Sequence, residues 1–231
     1  MKKSLNHVSI IMDGNNRWAK IKGISSREGH IEGVKKARLA VEFALENKIS
    51  YLTLFAFSTE NWLRDKAEVN DLISLFFDAL EEQTPKLIEE KVKLNFIGDI
   101  SRFNKRLIER IKKSSQETKK YNPQLNLIIA ASYGGKWDII NSINKTISEN
   151  KIKEFSENDL ERNLETKDFP EPDLIIRSGG EKRLSNFYLW QSSYSELYFS
   201  DKFWPDFDKK DLKEACEDYF KRKRKFGVQS G

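Results

Sequence analysis

A single cysteine, Cys216, is the only thiol in this 231-residue chain. One thiol cannot close an internal disulfide, and with only two histidines there is no Cys/His set for a structural zinc. Hydrophobic runs are short as well. The longest, such as Leu127-Ile128-Ile129-Ala130-Ala131, are strand-sized, far from the roughly 18–20 residues a bilayer requires. The opening Met1-Lys2-Lys3-Ser4-Leu5-Asn6 has no apolar signal core. A GxxxxGK[ST] loop is missing, which argues against an ordinary P-loop nucleotide hydrolase. Internal repeats, low-complexity tracts and linkers are missing too. Nor does one sign of charge dominate: 41 Lys and Arg face 36 Asp and Glu, a net +5, with the signs interspersed. That spread favours an anionic small-molecule substrate over a nucleic-acid surface. The one concentrated basic run is Lys221-Arg222-Lys223-Arg224-Lys225. The expectation is one cytoplasmic domain over residues 1–231, large enough to bury a substantial core.

What is present is an alternation of strand-like and helix-like segments. Strands are expected at Val8–Met12, Tyr51–Phe57, Val92–Ile97, Leu125–Ala131, Asp173–Ile176 and Leu197–Phe199. Helices are expected at about Asn15–Lys22, Ile31–Glu46, Ala67–Glu90, Arg102–Lys119 and Lys136–Glu149, and from near Asp208 into the basic run. Pro85 should kink or interrupt the third of these. Ser156-Glu157-Asn158-Asp159 spells a capping box opening a short helix, and Asp206-Phe207-Asp208 with Asp211 reads as the N-cap and first turn of the last. Repeated β–α alternation implies an α/β fold: a mostly parallel six-stranded sheet with helices on both faces.

Parallel sheets bind ligands beyond the carboxyl ends of their strands. The first strand ends in Asp13-Gly14-Asn15-Asn16-Arg17-Trp18, a tight turn into a helix whose unpaired amides and dipole attract anions. Arg17 reinforces that attraction. Asp13 opposes it, unless a divalent cation bridges carboxylate and anion. The fifth strand ends in Arg177-Ser178-Gly179-Gly180-Glu181-Lys182-Arg183-Leu184-Ser185-Asn186, where Arg177, Arg183 and Ser185 can form a second oxyanion cradle. Two cationic cradles point to two phosphorylated substrates.

Several blocks also resemble the signatures of cis-prenyltransferases: Ile11 through Ala19, Phe57-Ser58-Thr59-Glu60-Asn61-Trp62, Ser132-Tyr133-Gly134-Gly135 and Ile176 through Phe187. Leu189-Trp190-Gln191, Glu196-Leu197-Tyr198-Phe199 and Trp204-Pro205-Asp206-Phe207 extend the likeness, in family order, from about residue 7 to 227. The resemblance implies successive condensation of isopentenyl diphosphate onto an allylic, farnesyl-type diphosphate, giving a long polyprenyl diphosphate such as undecaprenyl diphosphate, the carrier lipid of cell-wall glycan synthesis. It implies Mg²⁺, held by Asp13 with Glu196 as a further carboxylate. Gly14, Asn15, Asn16, Arg17, Trp18, Arg27 and His30 would hold the allylic diphosphate, and Arg177, Arg183 and Ser185 the isopentenyl diphosphate. Ser58, Thr59, Glu60, Trp62 and Arg64 would form a closing loop in which Asn61 aids proton removal. A homodimer is implied, with peripheral membrane contact through the lipid product. The competing reading is a non-catalytic companion subunit, which would be expected to lack Asp13 or the Arg177/Arg183 pair.

Three positions depart from the family pattern. Ser26 stands where an Arg is usual, with Arg27 beside it; Asn16 replaces a commoner Gly; Asp65 follows Arg64 where Pro is frequent. Blander roles are expected elsewhere: His7 in strand-edge packing or solvation, Glu181 and Lys182 in solvent, Trp62 as lid or packing. A growing tail needs an apolar tunnel. The helix from Ala67 is its natural side, and Ala56 leaves it open. The basic run is read as a solvated end, a lipid contact or, by resemblance, an element reaching a neighbouring subunit.

Overall fold

The computed structural model describes residues 4–119, 122–149 and 154–222. Six strands form one sheet: β1 (His7–Ile11), β2 (Tyr51–Ser58), β3 (Val92–Ile97), β4 (Leu125–Tyr133), β5 (Leu174–Arg177) and β6 (Glu196–Phe199). Every pairing is parallel, in the order β3-β4-β2-β1-β5-β6. All five residues of β1 are buried, as a central parallel strand covered on both sides requires. The register aligns Ile11 with both Phe55 and Arg177, so Asp13, the end of β2 and Ser178 meet at one rim.

The helices are α1 (Asn15–Lys22), α2 (Ser26–Glu46), α3 (Lys66–Glu89), α4 (Lys105–Glu117), α5 (Gly135–Glu149), α6 (Glu157–Glu161) and α7 (Lys209–Lys221). One sheet face, through Val8, Ile10, Leu52, Leu54, Leu127 and Ile129, packs against α2, α3, α4 and α7. The other, through Ile11, Ile128, Ala130 and Ile175, meets Tyr133, Phe187 and Tyr188, with Trp137 of α5 beside them.

Local chemistry moved several boundaries. Helix α2 begins five residues before its apolar periodicity does, because Ser25 and Glu28 form a capping box there. Helix α4 begins at Lys105, not Arg102: a 3-10 turn spans Ile100–Arg102, and the Asn104 side chain accepts from Leu107 N at 2.9 Å. Pro85 does not interrupt α3, which runs unbroken to Glu89. The Ser156 and Asp208 caps form as the sequence spells them.

His7 corrects another expectation. It is neither at a sheet edge nor solvated, since β1 lies between β2 and β5. Its Nδ1 bonds Pro170 O at 2.7 Å and its Nε2 lies 2.8 Å from Thr53 Oγ1, and burial pushes its pKa down to about 4. Lys223, Arg224 and Lys225 lie outside the described residues.

Candidate active site

The first cradle follows from the β1–α1 turn. Gly14 sits at φ 109°, and a Cβ there would strike the Phe203 side chain at 2.6 Å, so only glycine fits. The first intrahelical bond of α1 runs from Trp18 N to Gly14 O at 2.8 Å. The amides of Asn15, Asn16 and Arg17 therefore have no acceptor within the helix. Helix α2 backs this turn closely: a Cβ on Gly29 would meet Asn15 O at 2.6 Å, and one on Gly33 would overlap Asn15 Oδ1.

Asp13 is fixed from several sides. Its amide donates to Ser178 Oγ at 2.9 Å, Ser178 Oγ donates to Asp13 O at 2.8 Å, and Trp204 N donates to Asp13 O at 3.0 Å. Its carboxylate bonds Arg177 Nη2 at 2.9 Å through Oδ2 and Arg17 Nη2 at 3.1 Å through Oδ1. Arg177 is buried, only 4% exposed, and its other nitrogen donates to Ser185 Oγ at 2.8 Å and to Arg183 O. Arg183 Nε reaches the same Ser185 Oγ at 3.3 Å. Arg177, Arg183 and Ser185 are thus brought together. The intervening glycines do not contribute amides to this set, because Gly179 N and Gly180 N are bound to Lys202 O and Ser200 O.

A cavity of about 340 Å³ opens from this rim and runs between the sheet, α2 and α3. Asp13, Asn15, Arg17, Ser58, Asn61 and Arg64 line its polar mouth, and Val34, Ala37, Val41, Leu54, Leu72, Phe76, Leu80 and Ile129 its apolar walls. Ala56 is in the wall, on the face of Leu52 and Leu54 by strand alternation, and a register shift between Phe55 and Phe57 turns Phe57 to that face as well. His30 also lines the cavity. Its Nε2 is shut from solvent with no hydrogen-bond partner, and burial, then the Arg64 charge, lower its pKa to about 4.

The loop after β2 is a 3-10 turn over Thr59–Leu63. Asn61 Oδ1 accepts from Ser58 N at 2.9 Å, and Arg64 pairs with Glu68 at 2.7 Å. Glu68 in turn accepts from Asn16 Nδ2 at 2.8 Å, and Ser26 donates to Asn16 Oδ1 at 2.6 Å, so two of the three departures from the family pattern, Asn16 and Ser26, meet in one hydrogen-bond chain. Thr59 and Glu60 face the second cradle, where Asn186 Nδ2 donates to Glu60 at 2.7 Å.

Four expected residues lie elsewhere. The Trp18 indole points outward and donates to Asp206 at 2.8 Å. Trp62 packs against Phe57 and Phe103 and donates to Ser132 Oγ at 3.0 Å, outside the cavity lining. Arg27 faces Asp78 at 3.9 Å and lines a neighbouring pocket with Ser26 and Glu68. Glu196 opens β6 opposite Leu174, whereas the rim lies at the Arg177–Phe199 end, about 10 Å along the strand. There it bonds Arg222 at 2.8 Å, so within this chain it does not share a cation with Asp13.

The sequence reading missed three residues: Ser178, Asn186 and Glu181. Glu181, expected in solvent, is half-buried and bridges Arg17 at 3.5 Å and Arg183, whereas Lys182 is exposed. Their signal was only their place inside a functional block.

Among the described residues no three metal-binding side chains converge. Asp13, partly open at the mouth, has both carboxylate oxygens paired with guanidinium groups, and would offer an oxygen to a cation such as Mg²⁺ only once an anion draws those groups away.

Residues 11–227 match the family described as "Putative undecaprenyl diphosphate synthase". An isoprenyl transferase of Nitrosomonas europaea is 46% identical over 97% of this chain and 86% of its own length. A farnesyl-diphosphate-specific ditrans,polycis-undecaprenyl-diphosphate synthase of Buchnera aphidicola is also 46% identical, over 98% of this chain and 92% of its own. In structure, a probable undecaprenyl diphosphate synthase of Campylobacter jejuni aligns with a TM-score of 0.82 at 36% identity, covering 98% of this chain and all (100%) of the other. Lavandulyl diphosphate synthase of Lavandula x intermedia, solved with dimethylallyl diphosphate, aligns with a TM-score of 0.93 at 35% identity, covering 97% and 98%.

Proposed function

This chain belongs to the undecaprenyl diphosphate synthase family, the cis-prenyltransferases, and from that premise we propose how its own residues carry the reaction. The activity is cis-prenyl chain elongation towards undecaprenyl diphosphate. Carbon 4 of isopentenyl diphosphate attacks carbon 1 of a farnesyl-type primer. The carbon–oxygen bond to diphosphate breaks, and a proton leaves carbon 2 to form the new cis double bond.

One observation carries the assignment of roles: the cavity is polar and cationic at its mouth and apolar along its length. The amides of Asn15 and Asn16, with Arg17, grip the allylic diphosphate, and the tail lies between α2 and α3. Arg177, Arg183 and Ser185 grip isopentenyl diphosphate. Fixed donors at the leaving oxygen stabilise departure without reorganising. Mg²⁺ held at Asp13 would supply charge neutralisation for the leaving diphosphate. The Asp13–Arg177 ion pair couples the two sites. An anion docking on Arg177 competes with Asp13 for the guanidinium and leaves that carboxylate free for a cation. Asn61, already holding Ser58 N–H, acts as an orienting group at the mouth. Neutral His30 offers its free nitrogen to the same space.

A second copy of this chain would cover Ile140 and Ile147, both exposed on α5. No helix among the described residues is long and apolar enough to cross a membrane, so membrane contact rests on the lipid product. The companion-subunit alternative loses support, because Asp13, Arg177 and Arg183 are all present and connected.

The test incubates the protein with farnesyl diphosphate, labelled isopentenyl diphosphate and Mg²⁺, then extracts into butanol. Label in the organic phase that disappears with EDTA is the expected result. Extraction of no label, or label indifferent to EDTA, refutes the proposal.

A further inference from the structure

One side chain joins the ends of three strands. The segment after β5 that carries Arg183 and Ser185 continues into Asn186, and β1 separates β5 from β2 in the sheet. Asn186 nonetheless donates from Nδ2 to Glu60 Oε1 at 2.7 Å, in the turn that follows β2. Its Oδ1 accepts from Lys136 N at 2.9 Å and its carbonyl from Gly135 N at 2.6 Å, at the start of α5 just after β4. The three segments meet closely: a Cβ on Gly134 would overlap Thr59 Oγ1 and lie 2.6 Å from Asn186 Nδ2. Ser185 and Asn186 both sit in the left-handed region, at φ 48° and 64°, a conformation asparagine accepts more readily than most residues. The two bonds to the start of α5 hold it there.

The link lies one residue from the site on each side. Asn186 follows Ser185, whose Oγ accepts from Arg177 Nη1 at 2.8 Å, and Glu60 precedes Asn61 at the cavity mouth. A single hydrogen bond therefore ties together the backbone neighbours of two site residues. Burial pushes the Glu60 carboxyl up, but its hydrogen bonds, that from Asn186 first, outweigh burial and keep it below its ordinary value. A bond to an ionised acceptor is roughly twice as strong as a neutral one. Condensation of two bound substrates is sensitive to a misplacement of about 1 Å. We propose that Asn186 is a positioning residue for the condensation: through Glu60 it sets the distance between the isopentenyl diphosphate cradle and the turn that carries Asn61. This inference rests on the elongation reading above.

Asn186→Asp keeps an oxygen for Lys136 N and tolerates the same backbone, but sets a carboxylate against Glu60. It should lower kcat and raise KM for isopentenyl diphosphate, together about 10²-fold in kcat/KM, while KM for farnesyl diphosphate holds. Adding Glu60→Gln restores the bond with donor and acceptor exchanged, so the double variant should recover. The two substitutions should couple by about fivefold or more in kcat/KM. Weaker coupling, or an equal rise in both KM values, overturns the positioning role and leaves the enzyme reading standing. If Asn186→Asp does not fold, Glu60→Ala on the exposed turn decides. A rise confined to KM for isopentenyl diphosphate then supports the role, and an unchanged KM overturns it. No polyprenyl product from the parent chain overturns both readings.

Discussion

The two faces of the sheet use alternate residues of the same strands, yet one is open and the other is filled. On the α2–α3 side, Ala37, Ala56 and Ala79 leave room, and the cavity persists. On the α5 side, Phe55 stacks on Phe187 at 4.5 Å and Phe187 on Tyr188 at 4.1 Å, with Tyr133 edge-on to Tyr188 at 5.6 Å. Polar groups there are paired internally: His7 to Thr53 and Thr53 to Tyr188 at 3.1 Å, and separately Tyr133 donating to Asp138 at 2.9 Å. Protein interiors normally fill to crystal-like density. A face left unfilled is therefore a face kept for a ligand, even though the same side also holds the larger buried core, through α4 and α7.

That division can be attacked from both sides. Asp13→Ala, at the open face, should cut turnover about 10³-fold, roughly 4 kcal/mol of transition-state stabilisation. Its melting temperature should fall too, because buried Arg177 loses its carboxylate partner. Asp13→Asn, which keeps an oxygen for Arg177, should lose turnover with a smaller fall; equal falls would mean the two faces are not separable. Ile128→Ala, fully buried on the filled face, should cost about 3 kcal/mol in urea denaturation while KM for both substrates holds.

The filled face should also respond to acid. His7 has a folded pKa of about 4 against an ordinary 6.5, so the folded state favours its neutral form. Above pH 6.5 its contribution is complete. As pH falls from 6.5 to 4 only the unfolded chain takes the proton, and on the order of 2–3 kcal/mol should be lost. A His7→Gln variant with an equally steep decline would place the acid sensitivity elsewhere. The smallest effect is expected from Ala56→Leu at the open face: shorter products at nearly unchanged stability, read by chromatographic sizing.

Much of this arrangement was legible in the sequence where the controlling interactions are local. The Val8–Ile11 run, Gly14 and the unpaired amides after it lie within ten residues, and so do the Ser156 and Asp208 caps. Long-range pairing hid the rest. His7 is central only because β5 inserts beside β1, with Leu174 pairing to Val8 across most of the chain. Glu196 belongs to a block whose residues suit the chemistry, yet parallel register sends it to the far end of β6. Glu181 lies inside because Arg17, from another strand end, meets it there. Phe57 shares the cavity face with Ala56 through a β2–β4 irregularity that no residue of β2 announces.

The seam between α1 and α2 has one further consequence. Gly29 and Gly33 bring the back of α2 against Asn15 with no compressible side chain between them. When a lengthening tail pushes on α2, nothing in that joint can absorb the shift, and the turn that grips the headgroup must ride along. Any shift of α2 at Gly29 and Gly33 would in this way be handed to Asn15 and the amides beside it.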